Sequence, residues 1–318
     1  MRLLVDLLAQ GVQMFLVLLA APLLSGWTRK VRARLLRRQG PDLVQPYRDL
    51  WRLLCKEPVL AENASWLFRT APYVVFTTIW IAAALVPTYA TGLLFGWATD
   101  LIALVAFLGS ARFALALAGM DVGTSFGGIG SSREMLIASL AEPAMLLVVF
   151  TLALLAGSTQ LSAVAEFLLH EPVGLRVSLG LALLALLMVG IAENARIPVD
   201  NPTTHLELTM VHEAMVLEYS GRHLALIEAA AALKLTAYLS LVACLFFPFG
   251  MITSGSSALL HPLGVLAWIA KMAVLGAALA GFETAIAKMR VFRVPEFLGG
   301  ALVLGFLGTL LLFVSRVL

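Results

Sequence analysis

The sequence predicts an all-α, polytopic membrane protein with about eight transmembrane helices, both termini outside, and one amphipathic helix lying in the interface. Three observations predict it. The 318 residues are 61% hydrophobic and only 13% charged. Apolar runs of about 20 residues, the length that crosses a bilayer, recur along the chain. Lysine and arginine fall on alternate loops, as the positive-inside rule requires.

The first span runs from about Leu3 to Leu24. The basic cluster Arg29, Lys30, Arg32, Arg34, Arg37 and Arg38 follows it. A signal peptide carries its charge in front of the apolar run, so this order argues for a span with its N-terminus outside. Residues 28–67 read as the first cytoplasmic loop, broken at Gly40-Pro41. Within it, Asp42 to Lys56 has an apolar stripe of Leu43, Tyr47, Leu50, Trp51 and Leu54. Arg48, Asp49, Arg52 and Lys56 lie off the stripe, the pattern of a helix in the interface plane. Further spans follow at about 68–89, 97–119, 135–157, 174–193, 222–247, 264–288 and 296–316. Loops 28–67, 120–134, 194–221 and 289–295 hold most of the basic residues outside the spans. Loops 90–96, 158–173 and 248–263 hold none. The whole of 1–318 reads as one membrane domain without an internal repeat.

The longest polar passage is Glu193 to Arg222. Ile197-Pro198 and Asn201-Pro202 are turn dipeptides. Thr203-Thr204 stands where an N-cap would, and His205 to Tyr219 lacks Pro and Gly, which predicts a helix there. His205 and His212 are seven residues apart and share one face. A plain connector needs only a few residues. This passage, with apolar Met210, Met215 and Leu217 among its charges, reads instead as a docking surface.

Ionisable groups within the spans cost about 2.5–3.5 kcal/mol each on insertion scales, so each needs a reason. They are Asp100, Arg112, Glu142, Glu193, Glu228, Lys234, Lys271 and Glu283. Glu142, Glu193, Glu228 and Glu283 lie on four different helices in the cytoplasmic half; Lys234 is near mid-membrane and Lys271 in the external half. Read together they make a proton path from a hydrated cytoplasmic cavity inward. Read singly, Asp100, Arg112 and Glu283 are equally well structural ion pairs. Glu142-Pro143 predicts a local kink.

Several classes are excluded. The net charge of +3 follows membrane sidedness rather than a soluble basic face, so it does not point to nucleic acid. Cys55 and Cys244 form no CxxC, so the chain has no thiolate set for an iron–sulfur cluster, a c-type haem or zinc. No glycine-rich phosphate loop precedes a helix in a βαβ context.

Segments along most of the length resemble the membrane subunit 1 family of respiratory complex I and its hydrogenase relatives. They are Gly40-Pro41-Asp42, Leu53 to Glu57, Leu67 to Pro72, Gly130 to Glu134, Glu193 to Asp200, and Glu218-Tyr219-Ser220-Gly221. Ala141-Glu142-Pro143 and the stretch Asn201 to Glu213 resemble the membrane subunit of formate hydrogenlyase and similar energy-converting nickel–iron hydrogenases. The resemblance implies a multi-pass subunit of a bacterial or archaeal cytoplasmic (inner) membrane that holds no cofactor itself. It implies partners: a large subunit with a nickel–iron centre and an iron–sulfur small subunit on the cytoplasmic side, and antiporter-like subunits in the bilayer. The expected proton path is Glu142, Glu193, Glu228, Lys234, Lys271 and Glu283. The expected docking residues are Arg133, Arg196, Asp200, His205, Glu207, His212, Glu213 and Glu218, with His205 and His212 as relays or as packing residues. The alternatives are a complex I subunit lining a quinone chamber, a stand-alone transporter, and an anchor whose charges serve assembly only.

Overall fold

The structure is a computed structural model that describes residues 2–92, 95–96, 99–170, 177–196, 198–199, 210–253, 260–287, 289 and 293–317. Asp200, His205 and Glu207 lie outside the described residues, as do residues 290–292 of the 289–295 loop.

The elements in order are α1 (Arg2–Leu35), α2 (Gln45–Leu54), α3 (Trp66–Leu85), α4 (Leu101–Asp121), α5 (Ser125–Ala156), α6 (Leu161–His170), α7 (Val177–Glu193), α8 (His212–Val216), α9 (Gly221–Phe246), α10 (His261–Ala285) and α11 (Val294–Val317). Among the described residues the only β features are two isolated bridges, Ala90 with Ile252 and Asp100 with Gln160. Among the described residues seven helices are long and apolar enough to cross a membrane: α1, α3, α4, α5, α9, α10 and α11. The predicted eighth, 174–193, is described as α7, only 17 residues long.

Local chemistry sets the helix starts. Ser65 caps α3 by accepting the Leu67 N–H at 3.1 Å, and Asp100 caps α4 by accepting the Ile102 N–H at 2.7 Å. Such caps satisfy amide groups that a helix start leaves unpaired. The Ser65 cap is itself held by Asp121, which accepts from the Ser65 N–H and hydroxyl at 2.9 and 2.7 Å. This joins the start of α3 to the end of α4. Gly157, with φ +71°, ends α5 in the left-handed cap that glycine favours.

The helices pack in two groups around α9. One cluster joins the first half of α4 with α5, α7 and α11; the other joins the second half of α4 with α1, α3 and α10. α9 contributes to both, and 78% of its apolar window is buried. It is the central post of the bundle.

Three boundaries differ from the sequence expectation. The 28–67 loop begins later, because α1 continues through the basic cluster to Leu35. The chain then turns at Arg37 (φ +55°) and folds back along α1. Gly40 lies against Lys30 and Ala33, and Gly26 against the Leu43 carbonyl, where a Cβ would come within 2.5 Å. The 120–134 loop is short: Thr124 caps α5, so Arg133 and Glu134 are helical. Of the helix expected over 205–219, the described part is α8 alone, and Leu217 is exposed rather than buried. Met215 is buried as expected.

Candidate functional site: a buried charge cluster below a polar cavity

α7 stops short inside the bundle, and its last residue is Glu193. A carboxylate at a helix C-terminus meets the negative end of the helix dipole and is unfavourable there. Two cations on neighbouring helices offset it. Arg112 of α4 pairs through Nη2 with Glu193 Oε1, and Lys234 Nζ of α9 lies 2.9 Å from Glu193 Oε2. Arg112 also reaches two carboxylates of α5: Nη1 is 3.3 Å from Glu142 Oε1 and Nε is 3.8 Å from Glu134 Oε1. Arg112 stands nine residues before the end of α4, about 14 Å deep at ~1.5 Å per residue. The cluster therefore sits well inside the membrane layer, with three carboxylates facing two cations.

Burial is uneven across it. The side chains of Glu193 and Arg112 are 1% and 4% exposed, whereas Glu142 is 44% exposed. Glu142 thus connects the cluster to the outer surface of the bundle. It rests over Gly109 of α4, where a Cβ would stand 3.1 Å from Glu142 Oε1. Tyr238, buried on α9 about one turn beyond Lys234, packs against Gly190 of α7.

A small cavity of ≈ 60 Å³ lies over Arg112, Glu134, Glu193 and Lys234. A second cavity of ≈ 510 Å³ lies between α1, α2, the chain after α7, α9 and α10. Its polar wall includes Arg29, Arg32, Asp49, Arg196, Glu213, Glu228 and Glu283. Asn194, Ala195, His212 and Ala231 line both cavities. The two spaces therefore meet where α7 has ended and irregular backbone takes over. Non-helical backbone at membrane depth is tolerated where it is buried in protein or lines a hydrated cavity.

Glu283 belongs to the wall of the larger cavity, not to the deep cluster. Its carboxylate, 3% exposed, is held by Arg32 (Nη1–Oε2 3.3 Å) and Arg196 (Nη1–Oε1 3.2 Å). Glu228 lines the same cavity. Lys271 is brought into neither site: the ionisable group beside it is the Cys244 thiol on α9. The structure thus gathers Glu142, Glu193 and Lys234 into one cluster, places Glu228 and Glu283 at its approach, and leaves Lys271 apart.

The docking residues divide similarly. Arg133 Nη1 donates to the Met210 carbonyl at 2.9 Å and so fixes the start of α8 against α5. Gly119 and Gly130 let Met215 of α8 pack close, at 3.0–3.3 Å from where their Cβ atoms would be. Glu213 and Glu218 are exposed. Glu218-Tyr219-Ser220-Gly221 forms a strap. Tyr219 stacks on Phe68 (centroids 4.0 Å) and donates to its carbonyl at 3.0 Å. Ser220 Oγ bonds both the N–H and the C=O of Val59, and Gly221 (φ +54°) sits 2.7 Å, at its absent Cβ, from the Lys56 and Glu57 carbonyls. Burial, and then the Asp121 carboxylate, push the Tyr219 phenol well above its ordinary value.

Two cluster members are not among the site residues that the sequence singles out. Arg112 reads equally well as a structural pair. Glu134 reads as part of a loop; its signal is the absence of a breaker between Ser131 and Pro143, which puts it on the helix that carries Glu142. Among the described residues no group of three or more His, Cys, Asp or Glu is placed to hold a metal, and Cys55 and Cys244 are unbridged.

Comparison with known proteins gives this geometry a family. The family model described as NADH dehydrogenase matches residues 9–314. The chain is 34% identical over 286 residues to formate hydrogenlyase subunit 4 of Escherichia coli (strain K12), covering 90% of this chain and 92% of the relative. It is 36% identical over 246 residues to hydrogenase-4 component C of the same organism, covering 76% and 75%. NADH-quinone oxidoreductase subunit 8 of Rhodothermus marinus is 27% identical over 253 residues, covering 73% of this chain and 70% of the relative. Among solved structures, a chain of the membrane-bound sulfane sulfur reductase, an archaeal respiratory membrane complex, shares the fold with a TM-score of 0.79 at 18% identity, covering 96% of this chain and 99% of that one.

Proposed function

We propose, for a chain that belongs to the NADH dehydrogenase (complex I subunit 1-like) family, that it is the membrane-anchoring and ion-coupling subunit of an energy-converting nickel–iron hydrogenase complex. The two most similar of the relatives named above are hydrogenase and formate hydrogenlyase components, which supports the hydrogenase branch. In this reading the cytoplasmic surfaces dock a hydrogenase-like large subunit and an iron–sulfur small subunit. The exposed Glu213 and Glu218 and the 197–209 segment supply the contacts. The metal centres belong to those partners. This chain supplies the charge path.

The observation that carries the reading is the continuity from the cytoplasmic cavity, past His212 and Ala231, to Glu193 and Lys234, and through Arg112 to Glu142 on the bundle surface. A proton arriving in the cavity changes the charge next to Glu193. Carboxylates that share one cation in a low dielectric respond strongly to each other's ionisation. Redox-linked protonation at the docking face is thereby passed laterally to antiporter-like subunits beside Glu142.

Purification of the complex in mild detergent, with metal analysis and a hydrogen-evolution assay, tests the branch. Nickel with iron and hydrogen turnover is expected. Glu142→Gln and Glu193→Gln test the path: hydrogen evolution persists and ion translocation in inverted vesicles falls. Full translocation in both variants would reduce the charges to an assembly role.

A second reading, a quinone chamber, is favoured by the ≈ 510 Å³ volume of the cytoplasmic cavity. Its wall of arginines and carboxylates suits water and protons better than an apolar quinone. Iron without nickel, with quinone reduction by the purified complex, would establish that reading instead.

A further inference from the structure

A third cavity, ≈ 380 Å³, lies on the membrane side of α1, between it, the start of α2, and α10. Its volume falls in the range of about 300–1,000 Å³ typical of ligand pockets. Its walls are apolar, and the polar side chains in them are already committed. Trp27 Nε1 donates to the Ala273 carbonyl at 2.9 Å, and Trp268 Nε1 to Ser240 Oγ at 3.2 Å. Tyr47 OH donates to the Leu19 carbonyl, and Thr236 Oγ1 to the Ala232 carbonyl at 2.9 Å. A polar headgroup inside the groove would find no free donor there and would be left unmet at a cost. Hydrocarbon needs no donor and fits.

The cytoplasmic rim has the opposite character. Lys30 and Arg34 stand about one and two turns beyond Trp27 on α1, and Arg37 and Arg38 follow in the turn. Among the described residues no carboxylate pairs with any of the four, whereas Arg48 and Arg52 of α2 are matched by Asp42 and Asp49. A cluster of four or more basic residues directly cytoplasmic of a span attracts anionic lipid. The fold-back at Gly40 and Gly26 holds this basic end and the groove together.

We propose that the groove is a specific phospholipid site. One acyl chain lies between α1, α2 and α10, and an anionic headgroup lies among Lys30, Arg34, Arg37 and Arg38. The lipid wedges the amphipathic helix against the bundle, beside the wall of the cytoplasmic cavity to which Pro46, Asp49 and Leu50 of α2 contribute.

The test is lipid analysis of the whole purified complex with its partner subunits, before and after exhaustive detergent washing. Wild type should retain a phosphatidylglycerol- or cardiolipin-class lipid at about one per complex, and phosphatidylglycerol should raise its Tm more than phosphatidylcholine does. Ala20→Phe, which fills the groove and leaves the rim intact, should lower retention severalfold and abolish the phosphatidylglycerol effect. Lys30→Gln with Arg34→Gln should remove the preference for anionic over zwitterionic lipid. If Ala20→Phe does not assemble, the wild-type lipid inventory and the rim variant still decide. Washed wild type that retains no lipid, or an isoprenoid quinone in its place, overturns the proposal. So does a rim variant that loses peripheral subunits while keeping its lipid unchanged.

Discussion

Glu193→Gln removes the charge that holds the deep cluster together while keeping the side chain's volume. Glu193 gives one oxygen to Arg112 and the other to Lys234, and its side chain is 1% exposed. Arg112 keeps Glu134 and Glu142 as partners. Lys234 keeps none among the ion pairs described, so the variant leaves a buried ammonium without a counter-ion. Breaking a buried pair in this way costs about 3–5 kcal/mol, a large part of the ~5–15 kcal/mol that folded domains have. Removing both partners should cost less than the sum of the two single changes, because Lys234→Met removes the ammonium that Glu193→Gln alone would strand. The measurement is a double-mutant cycle on the apparent Tm of the purified complex, at one scan rate, with Glu193→Gln, Lys234→Met and the pair. A coupling above ~1 kcal/mol is expected. Additivity within about 0.3–0.5 kcal/mol, the behaviour of independent sites, would refute the argument that these two charges stabilise each other.

Ala231→Phe places a ring where the two cavities meet; ion translocation in inverted vesicles should fall while hydrogen evolution and assembly persist. Gly221→Ala combines a left-handed φ of +54° with a Cβ 2.7 Å from two carbonyls, so the strap on Lys56-Glu57 must move and the complex should lose several degrees in Tm. Arg32→Ala and Arg196→Ala each leave Glu283 one arginine; the double variant should be destabilised by more than the sum, read by the same thermal scan. Tyr219, whose phenol is held protonated above its ordinary value, contributes stability that is full below about pH 10 and is lost as pH rises through its raised folded value. Tyr219→Phe should therefore flatten the alkaline limb of the Tm-against-pH profile.

Much of the bundle is legible in the sequence because each span is its own signal. Length, apolarity and the alternation of basic loops suffice for that, and the stripe of α2 locates it within a few residues of Gln45–Leu54. At α1 the boundary differs because charge does not end a helix. Arg29 to Leu35 contains good helix formers and no Gly or Pro before Gly40. Helical propensity does not stop where the apolar run does, so α1 continues through the basic cluster to Leu35. Ser125 to Glu134 is a different case: Gly127, Gly128 and Gly130 lower its helical propensity, and it is helical with the Thr124 cap and close packing on Gly119 and α8, so a loop reading there hides Glu134. Pairing is not legible at all. Nothing local to Arg112 indicates that it meets carboxylates from α5 and α7, since that follows from how α4 packs. Lys271 shows the converse: a charge of the right type within a span that packing leaves outside the cluster.

In the proposed reading, the direction of the path rests on where α7 ends and which cluster member is exposed. Had α7 continued a further turn or two toward the cytoplasm, helix would fill the place where the two cavities meet, and Glu193 would lie within a span rather than at its end. Because it stops at Glu193, Asn194 and Ala195 line both cavities and the deep carboxylate is reached from the larger, polar one. From there the charge contacts run sideways, through Arg112 to Glu142, rather than onward along α9, where Tyr238, Leu241, Val242 and Leu245 are all buried in the core. Glu142 is 44% exposed on the flank of the bundle, where hydrocarbon alone would make a carboxylate costly. Gly109 leaves it the space to sit there. A carboxylate kept at membrane depth, partnered on its inner side and open on its outer side, fits the proposed reading, in which the path ends at a neighbouring protein in the bilayer and not at the far side of the membrane.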